Sequence, residues 1–442
     1  MFVADRSQPS LPHLWSRSAG MNVVRRTLII HTIRVCIIVW IVTFLIAIIY
    51  LGSGSDPYSR TRSLDVYVID LDNDIAGSYF LTAFHQTPPG NLTLNWIFKQ
   101  PSEFPSGFAD KVENGKAWAV VYMNSNITAH VNQIIESILY GYSYNSISYI
   151  PSSAVNIVYD EGRNPNTVNG FILPPIQMAI ATASANYAAY IQALIDSYSN
   201  ATFNSVMMAV SLSQIIWSPI GFTNVNLHPA FPYARSLATS LGYLFLWLIM
   251  TALVTVNIRI TTPLIKKIKL IDIAIIRMLS GIFNSLIISL IYSLCVLWFG
   301  NFTDAIPFIR FWLFNWLAAY TFVSIIALFS LNLGVMAHIV LILFLILNFS
   351  TASTSLAIEL QNTFYRIGYG LPLFHCLSGG RHLLFGSHTR LGVDVGTLIA
   401  YCAVCILLTI ITSAIRVHKQ QKLIAKNKRE EIFKKKTTIN KT

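Results

Sequence analysis

Basic side chains that could exchange protons or bind anions gather in the segment Leu371–Leu391, between two apolar runs. They are His375, Arg381, His382, His388 and Arg390. Histidine titrates near neutral pH, and the planar guanidinium of arginine pairs with a carboxylate or a phosphate through two parallel hydrogen bonds. We therefore predict that Arg381, His375 and His382 contact a substrate anion or a lipid phosphate. The alternative interpretation is an ordinary loop whose arginine lies at the membrane surface.

Three carboxylates alternate along one short stretch as Asp70, Asp72 and Asp74. Alternate residues of a strand share one face, so these groups could together bind Ca²⁺ or Mg²⁺. An EF-hand loop would carry glutamate at position 81, and this chain has Leu81 there. A solvated strand end that enters a turn explains the pattern better, and we expect no metal ion.

Other catalytic chemistry has no visible constellation. Cys402 and Cys405 form a C-x-x-C pair, but they lie inside an apolar run without neighbouring ligands, which argues against redox chemistry and zinc binding. The signatures H-E-x-x-H, G-x-S-x-G and G-x-x-x-x-G-K-S/T are absent from the sequence. We expect that the protein is not an enzyme and holds no cofactor. Any ATP-driven role would then require a separate ATPase chain.

The elements that position these residues are predicted to lie in a membrane. Hydrophobic residues make up 54% of the 442 residues, charged residues only 11%, and the mean hydropathy is +0.55. This composition excludes a soluble globular protein and a disordered one. Apolar runs of about 18 residues indicate the spans of a membrane α-helical bundle. We predict six spans, at Val35–Leu51, Ser236–Ile258, Met278–Phe299, Phe311–Leu331, Leu333–Phe349 and Val395–Ile415.

Basic residues predict the orientation of these spans. The N-terminal tail (1–34), the loop between the second and third spans, and the C-terminal tail (416–442) hold five, five and ten of the 31 Lys and Arg residues. Segments rich in Lys and Arg stay in the cytoplasm. We therefore predict a multi-pass protein with both termini in the cytoplasm and an extracytoplasmic domain at 52–235, between the first and second spans.

The basic C-terminal tail is itself a candidate binding segment. Each Lys or Arg near an anionic inner leaflet contributes on the order of 1 kcal/mol to membrane binding. Control of topology explains the same charges equally well. Nucleic acid is the usual partner of such a run in a soluble protein, and tethering to a membrane argues against it here.

Two features leave the number of spans open. The first span could be a cleaved signal peptide, but its long preceding tail and long apolar run favour an uncleaved anchor. The uncharged stretches Phe171–Ile195 and Phe203–Ile220 could add two spans, although Pro174, Pro175 and several amides favour helices packed in the outer domain. Glycosylation sequons on the predicted outer side begin at Asn91, Asn126, Asn200 and Asn301.

The outer domain is predicted to have an α/β fold, because strand and helix patterns alternate along it. The strands are predicted at Leu64–Leu71, Leu92–Lys99, Ala117–Met123 and Val155–Tyr159. The helices are predicted at Ala76–Gln86, Pro105–Lys116, Ala129–Tyr140 and within Phe171–Trp217.

Polar residues near or within the spans have two interpretations. Asn284, Asn315 and His338 are predicted to hydrogen-bond between helices, and the alternative is a substrate path that uses Asn284 and Asn315. Glu359 and Arg366 lie seven residues apart in a helix predicted over 353–369. We expect both on its solvated surface, and the alternative is pairing across an outer vestibule.

Three motifs carry a resemblance to known membrane proteins. They are VYVIDLDND at Val66–Asp74, NGKAWAVVYM at Asn114–Met123 and GYGLPLFHCLSGGRHLLFGSHTRLGVDVG at Gly368–Gly396. With the order of anchor, outer domain and five further spans, the chain resembles the exporter-type membrane domain of ABC transporters. It resembles more closely the fungal nitrosoguanidine-resistance membrane protein family, which is related to phage-infection-protein-like permeases. The resemblance implies a homodimer that reaches the plasma membrane through the secretory pathway.

The leading hypothesis is a permease-like protein that acts in drug or toxic-compound resistance or in lipid handling and lacks its own ATPase. The segment 371–391 is predicted to re-enter the membrane as part of this machinery, because irregular backbone at membrane depth must line a cavity or be buried. The alternative hypothesis is a membrane scaffold or sensor that organises lipids or protein partners without transporting anything.

Overall fold

The computed structural model describes residues 19–87, 93–105, 107–140, 149–197, 213–263, 270–301, 305–387 and 390–439. The chain falls into two compact units, Met1–Gly52 and Ser53–Thr442. The described residues of the first unit belong to one helix, α1 (Ala19–Ser53). Its stretch Arg26–Ser53 is long and apolar enough to cross a membrane, and it contains the predicted first span.

A five-stranded sheet organises one part of the second unit, which we call the α/β domain. Its strands are β1 (Asp65–Asp70), β2 (Asn95–Phe98), β3 (Ala119–Met123), β4 (Val155–Tyr159) and β5 (Phe222–Asn226), in the order β2-β1-β3-β4-β5. Neighbouring strands are parallel except β3 and β4. The four predicted strands are confirmed. The sequence pattern misses β5, because this edge strand, FTNVN, is mostly polar and has no fully buried residue.

Helices cover both faces of the sheet. They are α2 (Ile75–His85), α3 (Ala109–Glu113), α4 (Ile127–Tyr140), α5 (Pro165–Thr167), α6 (Leu173–Ser197) and α7 (Ser213–Trp217). One face packs against α2, α4 and α6, and the other packs against α3. The helix predicted over Pro105–Lys116 is shortened to α3, because Gly107 has a φ of 101° that an α-helix does not allow.

The long helix α6 lies in the core of the α/β domain. Its residues Ile176, Ile180 and Tyr187 are buried in one cluster with Val66 of β1. A helix that buries one face in this way can be uncharged over its length without crossing a membrane. The structure therefore favours the predicted packed helix over an additional span, and most of Phe203–Ile220 lies outside the described residues.

Apolar helices form the remainder of the second unit. They are α8 (Tyr233–Leu237), α9 (Tyr243–Thr261), α10 (Leu270–Gly300), α11 (Ala305–Leu333), α12 (Ala337–Thr351), α13 (Pro372–Phe385) and α14 (Leu391–Ile439). Residues such as Trp247, Phe322 and Leu345 form their shared core, which is distinct from that of the α/β domain.

Among the described residues, five helical stretches are long and apolar enough to cross a membrane. Besides the one in α1, they are Tyr233–Thr261, Asp272–Gly300, Pro307–Thr351 and Leu391–Arg416. The stretch Pro307–Thr351 contains both the fourth and the fifth predicted spans. A 3₁₀ turn divides it, and α12 has only 15 residues, or about 22 Å against roughly 30 Å of hydrocarbon. The chain is thus a multi-helix membrane protein, and its sixth span stays a prediction.

The stretch Pro307–Thr351 folds back on itself. Phe314, near the start of α11, lies against Gly379 of α13. Asn348, near the end of α12, accepts a hydrogen bond of 3.4 Å from the backbone of Leu373, also in α13. Both ends of the stretch therefore reach the same short helix, and α11 and α12 are antiparallel.

The segment between α12 and α13 is part of the α/β core. The single helix predicted over 353–369 is wrong, because the structure has two 3₁₀ segments there, Ile358–Leu360 and Thr363–Gly370. Ala357 and Leu360 are buried in the same cluster as β1 and α6. Because this segment connects the end of α12 to the start of α13, the burial of its residues in the α/β core attaches the α/β domain to these two helices.

We predict that Gly368→Ala destabilises the protein and Gly370→Ala does not. A Cβ on Gly368 would lie 2.2 Å from the backbone oxygen of Thr351, whereas nothing lies within 4 Å of a Cβ on Gly370. Such overpacking lowers the free energy of unfolding by about 1–3 kcal/mol. The measurement is the midpoint of thermal unfolding in detergent, and equal midpoints for the two variants would contradict the packing described here.

Candidate functional site

The helix α13 forms the centre of the candidate site. It begins with Pro372 at its first position and ends at Gly386, whose φ of 83° closes the helix in the left-handed region. Gly379 and Gly380 do not interrupt this helix, contrary to the predicted irregular segment. Added Cβ atoms there would lie 2.4 Å from the Phe314 ring and 2.6 Å from the hydroxyl of Tyr243, so the glycines permit close helix packing.

Arg381 of α13 is buried at the boundary between the α/β domain and the apolar helices. It is 7% exposed. Its guanidinium donates one hydrogen bond of 2.9 Å to the carbonyl of Arg163 and another of 2.9 Å to the carbonyl of Ser353. Burial lowers the pKa of Arg381 to about 10, so the side chain still carries its positive charge at neutral pH.

Arg163 belongs to the α/β domain and has a carboxylate partner. Its guanidinium lies 3.6 Å from the centre of the Trp118 ring, a cation–π contact. It also pairs with Glu359 at 3.4 Å. Glu359 therefore has a partner in the α/β domain and, contrary to expectation, is not simply solvated, whereas Arg366 is exposed. The predicted outer vestibule stays a prediction.

His375 connects α13 to the first turn of α14. Its Nδ1 lies 2.7 Å from a carboxylate oxygen of Asp394, and its Nε2 lies 3.0 Å from the carbonyl oxygen of Tyr369. The pair is buried, with side-chain exposures of 7% and 3%.

These residues surround a cavity of about 430 Å³, which we call the junction cavity. It lies between the α/β domain, the segment after α12, and the helices α13 and α14. Its charged lining consists of three arginines and two carboxylates, together with His375. Side chains that line it include Trp118, Arg163, Glu359, Phe374, Ser378, Arg381, Arg390, Val393 and Asp394.

The structure brings together some of the predicted site residues. Arg381 and His375 both line the junction cavity. His382 does not line it, and its ring lies 3.0 Å from the carbonyl of Ser387 at the end of α13. The sequence interpretation missed Arg163 and Asp394. Asp394 directly precedes the predicted sixth span, which begins at Val395, whereas no local pattern singles out Arg163.

The polar residues of the spans lie away from the junction cavity. Asn315 accepts a hydrogen bond from Tyr243 and donates one to Ser293, each 2.9 Å long, so it joins three helices. Asn284 bonds within its own helix, to Ser280. Asn315 therefore makes the predicted hydrogen bonds between helices, whereas Asn284 does not.

The aspartates after β1 serve as local caps. Asp72 accepts hydrogen bonds from the backbone and hydroxyl of Thr128, and Asp74 accepts one from the first backbone N–H of α2. Asp70 accepts one from the backbone of Asp72. Across the described ranges, no three His, Cys, Asp or Glu residues are grouped so that they could hold a metal ion.

The cysteines and the glycosylation sequons lie apart from the junction cavity or outside the described residues. All five cysteines are free thiols, including Cys402 and Cys405. Of the sequon asparagines, Asn126 and Asn301 are exposed. Asn91 and Asn200 lie outside the described residues, so the predicted glycosylation stays a prediction at all four positions.

Comparison with known proteins gives one match. The family model described as "Protein of unknown function (DUF3533)" matches residues 35–407, which include the second half of α1, the α/β domain and the lining of the junction cavity. No curated protein and no solved structure matches the chain.

We predict that Asn164→Ala destabilises the junction. Asn164 is 1% exposed, donates a 3.0 Å bond to the Ser353 carbonyl, and caps α5 by accepting a bond from the backbone of Thr167. Loss of a buried hydrogen bond and a helix cap lowers the free energy of unfolding by about 1–3 kcal/mol. Thermal unfolding in detergent measures the effect, with Asn169→Ala as control, because Asn169 is exposed and bonds only at the surface to Glu161. A midpoint for Asn164→Ala as high as that of the control would argue against the described junction.

Proposed function

The chain belongs to the DUF3533 family, and we propose that it is a permease-like membrane protein that binds amphipathic compounds or lipids in the junction cavity. It would serve drug or toxic-compound resistance or lipid handling at the plasma membrane, and it would use the ATPase of a separate chain if transport is driven. The resemblance to nitrosoguanidine-resistance proteins and phage-infection-protein-like permeases supports the class of function.

The junction cavity is the observation that carries this proposal. Its volume of about 430 Å³ lies within the range of roughly 300–1,000 Å³ typical of small-molecule sites. Its walls combine apolar side chains such as Phe374 and Val393 with the charged Arg381 and Arg390. A lining of this kind suits a compound with an apolar part and a charged part.

The position of the cavity supports access from the membrane surface. It lies where α12, α13 and α14 meet the α/β domain, and Arg381 of α13 bonds across that boundary to the carbonyl of Arg163. With the orientation proposed from the basic tails, this end of the bundle faces away from the cytoplasm. A compound in the outer leaflet could then enter the cavity without crossing the bilayer.

Reconstitution tests this function. The purified full-length protein is placed in phosphatidylcholine vesicles, and the movement of a fluorescent amphipathic probe is followed with and without added membrane ATPases. Ser378→Trp would fill the cavity, because Ser378 lines it and is partly buried. We expect probe movement with the unaltered protein and only the rate of protein-free vesicles with Ser378→Trp.

Ser355→Trp is the matched control, since Ser355 is exposed and is not part of the cavity lining. It should leave the rate unchanged. Binding of the probe without movement under either condition would contradict a permease and favour a scaffold or sensor. Movement that Ser378→Trp leaves intact would contradict the assignment of the cavity.

A further inference from the structure

We infer that the junction cavity binds a phosphate monoester through Arg381 and Arg390, an inference that rests on the proposed function and names its ligand class. The phosphate could belong to a lipid such as phosphatidic acid or to a soluble ester such as glycerol 3-phosphate. Both present the same dianionic group, and the experiment below separates them.

The charge balance of the cavity is the first argument. Glu359 is matched by Arg163 at 3.4 Å, and Asp394 is matched by His375 at 2.7 Å. In the part of the chain that the structure describes, no carboxylate lies within ion-pair distance of Arg381 or Arg390. The three arginines of the lining outnumber its two carboxylates, and Arg381 and Arg390 are the two cations that face no carboxylate among the described residues. A dianionic phosphate neutralises both, whereas a single carboxylate neutralises one.

The orientation of Arg381 is the second argument. Its two hydrogen bonds end on the backbone carbonyls of Arg163 and Ser353, which are neutral acceptors. They fix the guanidinium plane and leave its charge uncompensated, and other N–H groups of the five remain available. Because the side chain is already held in place, a ligand does not have to order it, and less affinity is lost on binding.

Two further side chains complete a polar end of the cavity. Ser378 precedes Arg381 by three residues in α13, so both lie on the same helix face and both line the cavity. Arg390 also lines the cavity but is exposed. Arg381 is thus the buried cation and Arg390 the cation at the solvent-accessible part of the site.

The size of the cavity limits the ligand. A volume of about 430 Å³ is near the small end of the range for ligand sites. It suits a phosphate with the few carbon atoms attached to it, and it would leave the acyl chains of a lipid outside. The apolar walls, including Phe374 and Val393, would contact the first carbon atoms.

The test measures binding to the full-length protein in phosphatidylcholine nanodiscs by calorimetry. One arm adds glycerol 3-phosphate, a second adds short-chain phosphatidic acid, and a third adds the matching diacylglycerol, which lacks the phosphate. We expect phosphate-dependent binding in at least one of the first two arms and none in the third. Strong binding of phosphatidic acid alone identifies a lipid source, and strong binding of glycerol 3-phosphate identifies a soluble one.

Arg390→Gln is the principal variant, because Arg390 is exposed and its loss does not disturb the core. We expect its affinity for the phosphate ligand to fall by about tenfold or more, the effect of losing one charge-assisted hydrogen bond. Arg366→Gln is the matched control, since Arg366 is exposed nearby but absent from the cavity lining. The basic C-terminal tail is the same in both variants, so its attraction for anions cancels in the comparison.

Arg381→Lys and Arg381→Met form a second pair at the buried position. We expect Arg381→Lys to retain more affinity than Arg381→Met, because only the lysine keeps the charge. Equal affinities of Arg390→Gln and Arg366→Gln would overturn the inference. Binding of diacylglycerol as tightly as phosphatidic acid would also overturn it but would leave the proposed function standing, whereas the failure of every amphipathic probe to bind would remove the proposed function.

Discussion

The carbonyl of Ser353 is the point at which the α/β domain and the membrane helices are joined. It accepts a 2.9 Å bond from Arg381 of α13 and a 3.0 Å bond from Asn164 of the α/β domain. All three residues are buried, and a buried donor without a partner costs about 1–3 kcal/mol. The two parts must therefore keep their relative position for these donors to remain satisfied.

This junction also explains why a charged cavity can persist there. Arg381 is oriented by carbonyls and not by a carboxylate, so the bonds that hold it do not cancel its charge. Nearby, the ion pair between Arg163 and Glu359 and the contact of Arg163 with Trp118 hold a second guanidinium in place. The cavity is thus bounded by arginines whose positions are set by contacts within the protein, which is the arrangement expected of a preformed binding site.

Other polar side chains among the described residues stabilise the fold. The aspartates after β1 cap the start of α2 and fix α4 through Thr128. Asn315 joins three apolar helices.

Local features of the fold could be predicted from the sequence. The apolar runs identified the membrane helices, and the β-branched stretches identified β1 and β3, because each signal lies within a few consecutive residues. The fifth predicted span stays a prediction, since α12 has only 15 residues and continues from α11 through a turn. β5 escaped prediction because an edge strand exposes much of its surface and so keeps polar residues.

The candidate site was only partly predictable for the same reason. Arg381 and His375 are conspicuous in the sequence because basic residues between apolar runs are rare. Their partners Arg163 and Asp394 are not conspicuous, and Arg163 and Glu359 are separated by 196 residues. The sequence by itself determined that this is a membrane protein with an α/β domain and an unusual basic segment. Only the tertiary structure decided which cations are paired and which remain free, because charge pairing depends on distances in space that no local pattern encodes.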